Sequence, residues 1–85
     1  MNDPFAAPAT QIIEVDARFL QSPEPFERTI EALDRLQPGG ELLLLIHREP
    51  HPLYQMLRES GYRYRAQQND EGFWSIRIRQ VARDG

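Results

Sequence analysis

The sequence predicts an α/β (α+β) domain, a two-layer β-α-β-α-β-β sandwich with a four-stranded mixed sheet in the order 1-2-4-3 and two helices on one of its faces. Three observations lead there. Residues 11–16 and 73–80 alternate apolar with polar side chains, as half-buried strands do. Apolar residues recur at helical spacing after two proline-bearing starts, at Pro23 and Pro52. Residues 42–46 are all apolar and sit between the two helical patterns, which suits a central strand covered on both faces.

Residues 1–10 hold prolines and small alanines without periodicity and read as a mobile, disordered tail. A single domain is expected over residues 11–81, with a polar tail at 82–85. The first strand, residues 11–16, sets Ile13 and Val15 against Glu14 and Asp16. Ser22-Pro23-Glu24-Pro25 then reads as a helix start. Serine suits the N-cap, proline the first helical position, and Glu24 and Glu27 the positive end of the helix dipole. Phe26, Ile30, Leu33 and Leu36 form the expected buried stripe, and Pro38-Gly39-Gly40 ends the helix. Residues 41–47 are the second strand. Residues 48–52 are a proline-rich turn into a second helix, which buries Leu53, Met56 and Leu57 and ends at Gly61. Residues 62–67 and 73–80 make a hairpin around Asn69-Asp70-Glu71-Gly72, with Trp74, Ile76 and Ile78 pointing one way and Ser75, Arg77 and Arg79 the other. Right-handed crossovers put both helices on one face and leave the other open to solvent or a partner.

Eighty-five residues suit one modest core, with roughly 60–65% of the unfolded surface buried. A shallow surface site is therefore expected rather than a deep cavity. A net charge of −3 gives no bulk attraction to nucleic acid or anionic membranes. No apolar run approaches a membrane span, and no secretory signal opens the chain. Cysteine is absent, which fits a reducing, cytoplasmic compartment and excludes disulfides, thiolate metal sites and persulfide chemistry.

Phe19-Leu20-Gln21-Ser22-Pro23-Glu24-Pro25, following a strand that ends in Val15-Asp16, resembles the signature of the TusA/SirA-like sulfur carriers. In that family the segment reads Cys-Pro-x-Pro and the cysteine carries sulfur as a persulfide. Ser22 stands at the matching position here. Residues 36–40 and the apolar strand after them also match the family layout. Arg48-Glu49-Pro50-His51-Pro52-Leu53 is similar to a segment of a sister group, domain-of-unknown-function family 2249. That group carries His-x-Pro-x-Pro-Leu, so Arg48 takes the histidine position and His47 lies one place earlier. The resemblance spans about residues 12–80. It implies a TusA/SirA-like fold and a small accessory module, with a sulfur, redox or respiratory pathway as an alternative setting.

The two strand-to-helix turns are expected at one edge of the sheet, gathering Arg18, Ser22, His47, Arg48 and His51 with two helix N-termini. Ligands of open α/β sheets sit off the carboxyl ends of parallel strands, and helix N-termini favour anions. Glu24 and Glu49 oppose that attraction. The edge is expected to bind a protein partner or a small anion. Ser22 reads as an N-cap rather than a nucleophile: a nucleophile needs a base held within hydrogen-bond reach, no G-x-S-x-G elbow is present, and the flanking prolines suit a helix start. His47 and His51 have a four-residue spacing, but Pro50 interrupts it. Neither a metal site nor a cofactor is expected, and the chain reads as non-enzymatic. Arg63, Arg65, Arg77 and Arg79 are expected to form a basic patch on the open sheet face. RNA binding through that patch is a further alternative, disfavoured because Tyr62, Tyr64 and Trp74 point to the core and only Phe73 could join the arginines.

Overall fold

The computed structural model describes residues 3–81, arranged as β1 (Ile12–Asp16), α1 (Glu24–Asp34), β2 (Glu41–Ile46), α2 (His51–Glu59), β3 (Tyr62–Gln68) and β4 (Trp74–Gln80). The expected tail at 82–85 lies outside the described residues. β1 pairs parallel with β2, while β4 pairs antiparallel with both β2 and β3, so the sheet order is 1-2-4-3 as expected. The register sets Leu42 opposite Ile78 and Leu44 opposite Ile76, and all four side chains are fully buried beneath the helices. Ala32 and Leu33 of α1 and Leu53, Tyr54 and Leu57 of α2 close the core over them. Each buried leucine or isoleucine contributes about 1.5–3 kcal/mol when taken from water. Tyr54 stacks on Tyr64 with ring centroids 4.1 Å apart, and this fastens α2 to the edge strand β3.

The turns follow from local chemistry. Gly61 follows the last turn of α2 with φ +84°, a conformation costly for any residue with a Cβ. In the hairpin, the Asn69 side-chain oxygen accepts the N–H groups of Glu71 and Phe73, which fixes the loop from within.

Three expectations are corrected. Ser22 does not cap α1. The N-cap is Pro23, no side chain caps it, and the two residues are joined by a cis peptide bond. The helix is also rotated from the expected stripe. Pro25, Thr29, Ala32 and Leu33 are buried, whereas Phe26 is 41% exposed. Thr29 tolerates burial because its hydroxyl donates to the Pro25 carbonyl at 2.8 Å. Finally, the sheet face opposite the helices is not open along its whole length. Residues 3–8, part of the segment read as a mobile tail, cross it and bond to the arginines of β3 and β4.

Candidate functional site

Parallel pairing of β1 and β2 brings both strand-to-helix turns to one edge, and the ladder continues past β1 through Ala17 N–H to the Leu45 carbonyl at 2.7 Å. The first turn then runs over the end of the sheet to α1, and the second runs from Ile46 to α2. Between them lies a cleft of about 480 Å³. Leu20, Pro23, Pro25 and Phe26 form one wall, Pro50, Pro52 and Leu53 the other, and Leu44 and Ile46 the floor. Ser22, His47, Arg48 and Glu49 supply the polar lining. The apolar composition has a simple origin. Prolines at both helix starts and the ends of core residues are left at a rim that neither helix covers.

The five edge residues of the sequence reading divide. Ser22, His47 and Arg48 line the cleft; Arg18 and His51 do not. Arg18 turns back onto Asp16, donating to both carboxylate oxygens at 2.9 and 2.8 Å, and its guanidinium lies 4.8 Å from the Phe73 ring and 5.6 Å from the Phe19 ring. The Arg18 side chain, with its backbone N–H, holds the Asp16 carboxyl down at about 2. His51 opens α2 on the exposed side, with Nε2 3.3 Å from a Glu49 oxygen. Glu49 also accepts the Tyr54 hydroxyl at 3.1 Å. Burial, with Glu49 second, pushes the Tyr54 hydroxyl well above its ordinary range. Glu49 is thus engaged from two sides, while Arg48 has no ion pair among the described residues. No hydrogen bond joins Ser22 to His47 among those residues, so the cleft holds no assembled nucleophile and base. Nor do three or more His, Cys, Asp or Glu side chains converge anywhere within them.

The arginine face differs from the expected open patch. The register pairs Arg63 with Arg79 and Arg65 with Arg77 across the β3–β4 ladder, so the four guanidinium groups do share one face. Glu41, which the sequence reading passed over, is buried beside them at 7% exposure. It accepts from Arg77 Nε and Nη2 at 3.2 and 3.0 Å and from Arg79 Nε at 2.9 Å. Burial alone would raise the Glu41 carboxyl, but the two guanidinium groups outweigh it and hold it below the ordinary value. Arg79 also donates to the Pro4 and Ala7 carbonyls, Arg65 pairs with Asp3, and the Phe5 ring lies within 5.5 Å of the guanidinium carbons of Arg65, Arg77 and Arg79. The aromatic partner of the arginines is therefore Phe5, whereas Phe73 faces Arg18. One signal could have found Glu41: it shares strand parity with Leu43 and so lies on the arginines' side of the sheet. The unperiodic residues 3–8 offered no such signal.

No helix among the described residues is long and apolar enough to cross a membrane. The fold is similar to that in the crystal structure of a SirA-like protein from Desulfitobacterium hafniense, with a TM-score of 0.72 and 25% identity over 82% of this chain and 99% of that one. No curated protein matches the chain. The family model described as "Uncharacterized conserved protein (DUF2249)" matches residues 14–80, and the chain belongs to that family.

Proposed function

We infer that the chain is a non-catalytic binding module whose strand-to-helix cleft seats an apolar group bearing a carboxylate or similar anion, presented by a protein partner or a small ligand. One observation carries this reading. An apolar cleft opens beside Arg48, a cation without an ion-pair partner among the described residues, while the neighbouring Glu49 is occupied by Tyr54 and His51. Small-molecule sites are typically apolar with a few convergent polar groups, and this edge has that character. The absence of cysteine suits the reducing cytoplasm. It also removes persulfide transfer from any sulfur or redox role that the fold suggests. The arginine face lends RNA binding little support, since Glu41 and residues 3–7 already engage three of its four guanidinium groups.

Titration of the isotopically labelled protein with phenylacetate, followed by amide NMR, tests the reading. The expected result is saturable shifts confined to the turns around Leu20–Ser22 and His47–Glu49, lost in Arg48→Ala. Shifts elsewhere, or shifts unchanged by that substitution, would overturn it.

A further inference from the structure

The far face of the sheet carries an occupant of its own. Residues 3–7 form a turn with hydrogen bonds of its own. The Asp3 carbonyl accepts the Ala6 N–H at 3.0 Å, and the Asp3 carboxylate accepts the Phe5 N–H at 2.9 Å. Aspartate at the first position and proline at the second are the residues such a turn favours. The turn presents a carboxylate to Arg65, a ring to Arg65, Arg77 and Arg79 at 4.7, 5.0 and 5.5 Å, and the carbonyls of Pro4 and Ala7 to Arg79 Nη1, each at 2.6 Å. These are the interactions of a ligand with a receptor: a charge pair, a cation–π stack and two oriented acceptors. They differ from the close apolar packing that holds the helices. Asp3 remains 46% exposed and Phe5 is only half-buried. Lifting the turn away would leave four arginines with Glu41 as their one hydrogen-bonded carboxylate, the other acidic residues of that face, Glu14 and Asp16, lying further along the sheet on β1.

We propose that the arginine face is a receptor for a short acidic–aromatic turn of another protein, of the form Asp-Pro-aromatic, and that residues 3–7 are the chain's own competing occupant. Charge and geometry both select this partner. A bare anion would meet Arg65 but leave the ring site over Arg77 and Arg79 empty. An apolar helix would leave Arg65 and Arg79 Nη1 without the acceptors that Asp3, Pro4 and Ala7 supply. The rigid Asp-Pro turn also lowers the ordering cost for a peptide that carries it. Binding is self-limited, because a tethered occupant competes at an effective concentration of the order of millimolar. This surface is separate from the strand-to-helix cleft, and the proposal stands or falls without it.

The test is fluorescence anisotropy with a C-terminally labelled peptide of residues 1–10, titrated with the full-length chain. Wild type is expected to bind weakly. Full-length Phe5→Ala, whose own occupant is weakened, should bind about tenfold more tightly or better, because a larger fraction of molecules is open. Adding Arg65→Ala to that variant should abolish the gain, and peptides with Asp→Ala or Phe→Ala should not bind. Circular dichroism checks that each variant is folded, and Asp3→Ala serves if Phe5→Ala is not. The proposal is overturned if neither opened variant binds the peptide at millimolar concentration, or if the altered peptides bind equally well. It also fails if single-stranded oligouridylate binds the opened variants while the peptide does not. A wild-type dimer dissociated by Phe5→Ala would assign the face to a second copy and overturn it likewise.

Discussion

Glu41 sits between two guanidinium groups with its side chain 9% exposed, so removing it does more than remove an ion pair. Arg79, at 7% side-chain exposure, would lose its acceptor at Nε. A buried charge left without its partner is strongly destabilising, and the 41% exposure of Arg77 moderates the effect. Glu41→Ala is expected to lower stability by about 2 kcal/mol, read from urea denaturation at neutral pH. The pH dependence has a definite sign. The folded carboxyl titrates below its ordinary 4.5, so the stabilisation is whole above that value and is lost as pH falls through the lower folded value. The gap between wild type and Glu41→Gln should therefore narrow in acid. A gap that stays constant to pH 3 would show that the carboxylate's charge does not contribute. Glu41 was hard to read in the sequence because a glutamate before an apolar run looks like the exposed start of a strand. Its burial depends on the Arg77 and Arg79 side chains folding onto it and on residues 3–8 lying over the same face, and no periodicity in the sequence announces that segment.

At the scale of the element, α1 shows how far patterning carries. The existence of the helix and its proline start were legible, but its rotation was not. The sequence offers two overlapping stripes, Phe26-Ile30-Leu33 and Pro25-Thr29-Ala32-Leu33, and hydrophobicity alone favours the first. The structure uses the second, because small residues let the helix lie close to β1 and β2 while Phe26 goes to the rim of the cleft. Leu33→Ala should cost about 2–4 kcal/mol, whereas Phe26→Ser should stay within about 0.5 kcal/mol of wild type. Thermal denaturation of the two variants checks this, and equal losses would restore the first stripe. α2 was easier to read. Gly61 ends it as expected, but the helix takes in His51 and Pro52, which the sequence assigns to the turn, and it buries Tyr54 more deeply than Met56. Tyr54 goes inward because Tyr64 offers it a stacking surface and Glu49 accepts its hydroxyl.

For the molecule as a whole, the sheet topology was legible from 85 residues: right-handed crossovers carry both helices to one face, and the last strand of the hairpin inserts beside the second strand. The cleft was legible as a place, the edge where the two turns meet, but not as a surface. Arg18 and His51 belong to that edge in sequence, yet they turn to local carboxylates that the chain itself supplies. A domain of this size has a total stability of about 4–12 kcal/mol. Set against that total, the contacts of residues 3–7 with the arginines are expected, on the proposal above, to open without unfolding the sheet. Those contacts join residues 62, 72 and 75 positions apart along the chain. Closing so wide a loop is entropically unfavourable until β4 is in place. On the time axis of folding, then, residues 3–7 are latecomers. Phe5→Ala should leave the refolding rate in stopped-flow experiments nearly unchanged and act on the unfolding limb alone, making the segment a brake on the molecule's opening rather than a guide to its assembly.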